Sequence, residues 1–533
     1  MKALLVHPKL PLSFWNFQSV LKIVNKRAVY IPLGLITAAA LMPRSWELKL
    51  VDLNAQPLTD DQLRWADLVF AGAMIVQKES MRDIVDRAHS LGRKVVVGGP
   101  LFHHGVEKEF ADVDYRLLNE AEITLPEFIR DLESGSPGRV YRSDEKCDIR
   151  TSPVPRWDLL DIGLYASMSV QFSRGCPYRC EFCDIPILQG RRFRSKTPPQ
   201  VVRELAALHR TGWRGRIFVA DDNFIGDRSR VKAVLQKIAA WQACRGYPFV
   251  FNTEASIDLA GDQEMMTLMI EAGFRGVFIG LETPDKDTLR QCGKKQNCRV
   301  NLLESVRTIQ GRGLEVSGGF IVGFDNDRED IFDRQIQFIQ ESGIVTAMIG
   351  ILYALPETPL YRRLEKEGRL TEADCTGSNT DGQITFVPRM GVRNLINGYR
   401  RVLNHIYSPR GYYERILRFL RYYRPARRRS LRLDDITAFF RSVLFVGVLN
   451  KGQSRRFYWM AVFHALLFKQ RCFAEIMESA VFAYHFQTQT ERINGSGRQD
   501  PLLPSKNALL VGRTASKKGT GPISARTLTA HLQ

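Results

Sequence analysis

The sequence predicts an α/β protein: an N-terminal Rossmann-like domain, then a partial (β/α)6 barrel, then a mainly helical C-terminal region. Three observations predict it. Strand and helix signals alternate through the first 130 or so residues, the pattern of an open parallel sheet covered by helices on both faces. A second series of six strand–helix units follows. From about residue 375 the periodicity is helical without strands.

In the first series, short apolar runs lie at 2–6, 48–53, 68–71, 94–97 and 115–118, with amphipathic stretches at 33–42, 79–91 and 125–132. Ligands of such sheets bind beyond the carboxyl ends of the strands. Those ends carry Asp52-Leu53-Asn54, Gly72-Ala73-Met74, Gly98-Gly99-Pro100 and Asn119-Glu120. A Gly-, Ser- and Pro-rich segment at 132–158 reads as a linker. The second series has strand candidates at 168–172, 216–220, 249–252, 276–279, 315–321 and 347–352. Helical stretches at 199–208, 230–241, 263–272, 301–311 and 331–342 separate them. Barrels work at their C-terminal rim. Just after successive strands stand Cys176, Cys180 and Cys183, then Asp221-Asp222, Glu254, Glu282 and Gly323-Phe324-Asp325. The expected organisation is a Rossmann-like domain over 1–135, a linker over 136–160, a barrel over 161–370, a helical extension over 371–490 and a disordered basic tail over 491–533.

Bulk composition narrows the class. Hydrophobic residues make up 44% of 533, which supports sizeable cores. Nine cysteines are too few for a disulfide scaffold, and six of them are scattered, as in a reducing compartment. The N-terminal "MKALLVHPKLPLSFW" is broken by His7, Pro8 and Lys9 and lacks a cleavage site, so it does not read as a signal peptide. The expected location is the cytoplasm, with peripheral contact on the inner face of the membrane as an extension of it. The net charge is +19, and "RGYYERILRFLRYYRPARRRSLRLD" at 410–434 holds nine arginines and five aromatics. Such a segment fits a solvated helix face, an anionic membrane surface or nucleic acid, the last being the least favoured.

"SRGCPYRCEFCD" at 173–184 places three cysteines in C-x3-C-x2-C spacing with no fourth nearby. A closed zinc site would need a distant fourth ligand. On a [4Fe–4S] cube, three thiolates would leave one iron open to a further ligand.

"GCPYRCEFC" resembles the signature of the radical S-adenosylmethionine (SAM) enzymes. The resemblance implies that Cys176, Cys180 and Cys183 hold a [4Fe–4S] cluster whose open iron is chelated by SAM, and that Phe182 fills the aromatic position before the last cysteine. It further implies that Asp221 and Asp222 contact the SAM amino end, and that Glu254 and Glu282 lie near its ribose and methionine portions. The glycines of "GGFIVGF", Gly323 among them, would let backbone approach the adenine.

The N-terminal sheet resembles the cobalamin-binding domain that precedes such barrels, through "VDLNAQP", "FAGAMIVQ", "VVVGGP" and "LLNEAE". Asp52, Asn54, Gly72, Met74, Gly98 and Gly99 are its implied cofactor contacts. The D-x-H-x-x-G pattern departs here, with Asn54 and Pro57 for His and Gly, so no imidazole ligand to cobalt is expected from this loop. His103 and His104 are read as loop residues. With "YIPLGLITAAALMP" and "GYRRVLNHIYSPRGYYER", the chain resembles the cobalamin-dependent radical SAM methylases with a helical C-terminal extension, the subgroup that includes hopanoid C-2 methylase.

This implies methylation of an unactivated carbon in a small-molecule or lipid substrate, an isoprenoid or a secondary metabolite, driven by an electron donor such as flavodoxin or ferredoxin. The alternatives are a radical rearrangement or cyclisation without methylation, and RNA modification by an iron–sulfur protein. RNA methylthiotransferases carry additional cluster cysteines in their N-terminal domain, whereas Cys147 alone precedes Cys176 here.

Overall fold

The computed structural model describes residues 1–103, 105–371, 376–380, 382–425, 433–450 and 453–495. His104, Cys375, Arg427, Arg428, Arg429, Arg432 and the expected tail beyond 495 lie outside the described residues.

The first sheet contains β1 (Lys2–His7), β2 (Glu47–Asp52), β3 (Leu68–Gly72), β4 (Lys94–Gly98), β5 (Tyr115–Leu118) and β6 (Val140–Arg142), in the order β2-β1-β3-β4-β5-β6 and parallel throughout. The strands are near-continuous apolar runs because both faces are covered. Leu4, Val6, Val69, Val95 and Val97 point into one core, Ala3, Leu5, Phe70, Val96 and Leu117 into the other. β1 pairs with both β2 and β3, so the strand order reverses there and opens a crevice at the carboxyl edge. β6 falls inside the segment expected to be a linker. Its three residues join the sheet through β5, a pairing that a Gly/Pro-rich composition does not signal.

The second sheet holds β7 (Met168–Val170), then, past the two-residue arms β8 (Ser173–Arg174) and β9 (Arg194–Ser195), β10 (Gly215–Val219), β11 (Phe249–Glu254), β12 (Phe274–Glu282), β13 (Glu315–Val322) and β14 (Ala347–Ile351). Each strand lies beside its predecessor and parallel to it, and β7 and β14 form the two edges, giving the expected partial barrel. β8 and β9 pair as a separate antiparallel hairpin. β12 runs longer than the sequence predicts, carrying an irregularity between Gly280 and Glu282. Helices Pro198–Arg210, Arg228–Ala243, Gln263–Ala272, Leu302–Gly311 and Ile331–Ser342 follow successive strands.

The C-terminal region is helical: Val392–Ile406, Pro409–Tyr422, Leu433–Ser442 continuing as a π-helical turn Val443–Val448, Gln453–Phe468 and Phe473–Asn494. The last helix is tied to the amino ends of the barrel strands by Arg216–Glu478 and, at 3.2 Å, Arg275–Glu475. The N-terminal arm meets it through Phe14 and Phe17, which pack on Phe486. The arginine-rich segment is not uniformly surface: Arg415 is 1% exposed and donates to Gln340 Oε1, Ile406 O and Val345 O.

Candidate active site

The three cysteines occupy the loop after β7. Its entry is fixed from below by two acids that follow β10. Asp221 accepts from Phe172 N at 2.8 Å and Ser173 Oγ at 2.6 Å, and Asp222 accepts from Gly175 N at 2.8 Å. Gly175 has φ +93°, and a Cβ there would lie 2.5 Å from Arg192 O, so the turn into Cys176 needs glycine. On the far side Glu181 N donates to Cys292 O at 2.8 Å. Gly293, φ +76°, lets this strand-end loop pass the backbone of Arg179, where a Cβ would meet its carbonyl at 2.5 Å. Glu181 and Asp325 share Arg363, and Asp325 also binds Arg369. The cysteine loop is thus braced by β10, by the loop after β12 and by the helix Pro359–Lys366.

Burial pushes the Cys176 thiol up to about 11 and raises Cys180 and Cys183 as well; Cys180 adds to the rise at Cys176, and both add to that at Cys183. Ionised together they need a polycation. Among the described residues no three His, Cys, Asp or Glu side chains converge tightly enough for a single metal ion, the arrangement zinc demands. Three buried soft donors on one short loop suit the corners of an iron–sulfur cube.

Phe182 stacks edge-on against Phe324, with centroids 6.0 Å apart, and the Lys294 ammonium lies 5.9 Å from its ring. Lys294 pairs with Glu282, which sits at φ +65° in the β12 irregularity. Burial would lower the Lys294 pKa, but Glu282 and then Cys180 opposite it raise it, so the ammonium is held beside the thiols. Gly323, φ +103°, donates its N–H to Asp327 Oδ2 at 2.8 Å. Glu254 ends β11 facing the cavity; burial, then repulsion from Asp222, pushes its carboxyl up to about 7. Burial raises Asp221 to about 7 as well, against the hydrogen bonds from Ser173 and Phe172.

At the N-terminal edge, Asp52 is 1% exposed and accepts from Asn54 N, Asn54 Nδ2 and Tyr165 OH, the last at 3.1 Å. Asn54 also accepts from Leu10 N and donates to Pro8 O, which closes the loop after β1 over the end of β2. Gly99 has φ +94° and packs against Ala73, whose carbonyl a Cβ would meet at 2.7 Å. Gly98 lies close to Leu117 O, and Met74 is 46% exposed at the edge.

The two carboxyl edges face one cavity of about 1680 Å³, which continues past the barrel strands to their amino ends at Gly215, Gly273 and Glu315 and to the helices Leu433–Ser442 and Phe473–Asn494. Gly72, Met74, Gly98, Gly99, Asn54 and His103 line it from the sheet; Gln171, Arg174, Asn252, Glu254 and Phe278 line it from the barrel. That exceeds the ~300–1,000 Å³ of a site for one drug-sized ligand. The cysteines are not among the lining residues, but Gln171 and Arg174, which lead into them, are.

A buried charge cluster joins the domains where "NEAE" meets β8 and β9. Arg174 binds Glu122 at 2.7 Å and Glu120 at 3.4 Å, and Arg194 binds Glu120 at 2.6 Å and Cys147 O at 2.7 Å. The sequence reading missed this cluster and Lys294. The signal available for the first was an arginine two residues before the first cysteine, matched by two acids at a strand end.

A family model described as the radical SAM superfamily matches residues 170–366, and one described as a domain of unknown function (DUF4070) matches 358–498. The chain is 40% identical over 492 residues to an uncharacterized methyltransferase of Synechocystis sp., covering 91% of each. It is 37% identical over 385 residues to the hopanoid C-2 methylase of Rhodopseudomonas palustris, covering 71% of this chain and 73% of that protein. Among solved structures, the cobalamin-dependent SAM radical enzyme OxsB, with aqua-cobalamin and SAM bound, aligns with a TM-score of 0.59 at 16% identity, over 94% of this chain and 82% of that one. The radical SAM methyltransferase TsrM from Kitasatospora setae, with cobalamin and a [4Fe–4S] cluster bound, aligns at 0.54 and 18% identity, over 70% and 76%. At those identities the structures establish a shared fold.

Proposed function

The chain belongs to the radical SAM superfamily, among the methyltransferases that its relatives represent, and on that premise we propose that it is a cobalamin-dependent radical SAM C-methyltransferase. The substrate in this reading is a lipid, such as an isoprenoid, or another small molecule presenting an unactivated carbon. A reduced flavodoxin or ferredoxin supplies the electron. The observation that carries the reading is the single cavity bounded by both carboxyl edges, with the three-cysteine loop on one of them.

Bound there, the cluster with SAM supplies a radical that removes a hydrogen atom from carbon, and cobalamin supplies the methyl group. The chain's part is to bind, order and shield. Cys176, Cys180 and Cys183 hold the cluster. Asp222 fixes the turn into them through Gly175 N. Lys294 offsets negative charge beside the thiolates, and Glu254 offers a carboxylate to a hydroxyl or ammonium group in the cavity. On the opposite edge Gly98 and Gly99 keep the surface low for a bulky planar cofactor, and no side chain among the described residues offers an imidazole from position 54. The Arg174 and Arg194 pairs to Glu120 and Glu122 hold the two edges in register.

The test is anaerobic turnover with SAM bearing a deuterated methyl group, reduced flavodoxin and extracts of apolar lipids. Transfer of the labelled methyl to carbon, dependent on added cobalamin, is expected. A rearranged product without the label overturns the methyltransferase reading.

A further inference from the structure

We propose that the hairpin formed by the helix Leu433–Ser442, its π-helical continuation Val443–Val448 and the helix Gln453–Phe468 docks the protein on an anionic phospholipid bilayer. Six large apolar side chains here are more than half exposed: Phe440 at 65%, Val448 at 54%, Leu449 at 59%, Phe463 at 56%, Leu467 at 69% and Phe468 at 71%. Outside this hairpin, no large apolar side chain among the described residues exceeds 49%. On the first arm Phe440, Leu444 and Val448 recur every four residues; on the second, Phe463 and Leu467 do the same, so each arm shows water an apolar stripe. The arms are clasped by Trp459 Nε1 donating to Gly447 O at 3.0 Å and by the Ser442 and Tyr458 hydroxyls 2.7 Å apart. The hairpin is therefore held together, with its apolar side chains left outside.

Charge selects the occupant. From Ile436 to Ala474 the chain has six Lys or Arg residues and no Asp or Glu; Asp434 and Asp435 begin the first helix, and Asp435 lines the cavity rather than the apolar stripe. Arg441, Arg455, Arg456 and Arg471 make no ion pair among the described residues. An apolar surface flanked mainly by arginines complements anionic headgroups. A second copy of the same surface would bring like charges together. No helix among the described residues is long and apolar enough to cross a membrane, so the contact lies in the interface plane. The helix Leu433–Ser442 also faces inward: Ala438, Phe439 and Ser442 line the cavity described above. One helix thus lies between the bilayer contact and the part of the cavity at the amino ends of the barrel strands. This differs from the arginine-rich stretch at 410–434, whose Arg415 is buried.

The test is co-sedimentation of the full chain with vesicles of phosphatidylglycerol and phosphatidylcholine, against phosphatidylcholine alone, at physiological salt. Binding to the mixed vesicles, at least about tenfold weaker to the neutral ones and weakened by added salt, is expected. Val448→Ser with Leu449→Ser on one arm, and Leu467→Ser with Phe468→Ser on the other, should each weaken binding about tenfold or more. Arg455→Glu with Arg456→Glu should abolish the preference for anionic vesicles. Unchanged iron content and circular dichroism identify folded variants. Wild-type protein that sediments with neither vesicle, or apolar variants that bind as wild type does, overturns the proposal. A dimer that the apolar variants dissociate while lipid binding persists also overturns it and makes the hairpin a self-association surface. The assay needs no turnover, so its failure leaves the methyltransferase reading untouched, and failed methyl transfer leaves the docking result standing.

Discussion

At the carboxyl edge of the N-terminal sheet, Asp52 and Asn54 direct their hydrogen bonds to the protein itself; at the barrel rim across the cavity Asp221 and Asp222 do the same, but the ionisable Glu254 also lines the space. Asp52 accepts from Asn54 and Tyr165, and Asn54 bonds to Leu10 and Pro8, while Gly72, Gly98, Gly99, Met74, Asn54 and His103 face the space. The rim also carries three thiols raised first by burial, and a Glu254 carboxyl pushed up to about 7. The first edge can hold a large cofactor by shape. The second is arranged for ligation and charge, and is strained electrostatically until a cation occupies it. One cavity therefore serves two kinds of binding, and each edge can be altered separately.

The largest expected effect is on the rim. Cys176→Ala, Cys180→Ala and Cys183→Ala should each take iron from about four per chain to a small fraction of that, while corrinoid binding persists. Metal and corrinoid analysis of anaerobically purified protein reads both, and joint loss would break the separation of the edges. Next is the clamp between them. Arg174→Met strands Glu122, whose side chain is 6% exposed, and should cost about 3–5 kcal/mol in urea denaturation, with Arg174→Met plus Glu122→Leu recovering most of it. On the first edge, Gly99→Ala must adopt φ +94° against the Ala73 carbonyl. It should cost about 1–3 kcal/mol and weaken corrinoid binding without changing iron content. The smallest effect is a slope. An unfolded aspartate ionises near 3.8 and folded Asp221 near 7, so between those values the folded state holds the extra proton. This group's share of stability is present below pH 4 or so and falls as pH rises to about 7. Asp221→Asn, which keeps an acceptor for Phe172 N, should flatten that part of the pH–stability profile; an unchanged profile would show that Asp221 titrates normally.

Much of this was legible in the sequence, for physical reasons. Helices Gln263–Ala272 and Ile331–Ser342 follow from amphipathic periodicity, and the parallel strands from apolar runs buried on both faces. The cysteine spacing announced its loop. β6 was hidden because three residues in a Gly/Pro-rich stretch become a strand only by pairing with β5. Arg415 was hidden among exposed arginines because only tertiary contacts with Gln340 and Val345 bury it. Lys294 sits in "CGKKQN", where no periodicity separates it from Lys295. The roles expected of Asp221 and Asp222 could not be divided from sequence: both lie under the cysteine loop, and their hydrogen bonds go to Phe172, Ser173 and Gly175.

The central claim is that the chain supplies three ligands to a four-cornered cluster. Electron paramagnetic resonance of the dithionite-reduced protein, with and without SAM, tests it most directly. The account predicts that SAM shifts the g-values of the wild-type cluster, because one iron is open to it. A spectrum indifferent to saturating SAM would mean that the protein fills every corner, and would contradict the account.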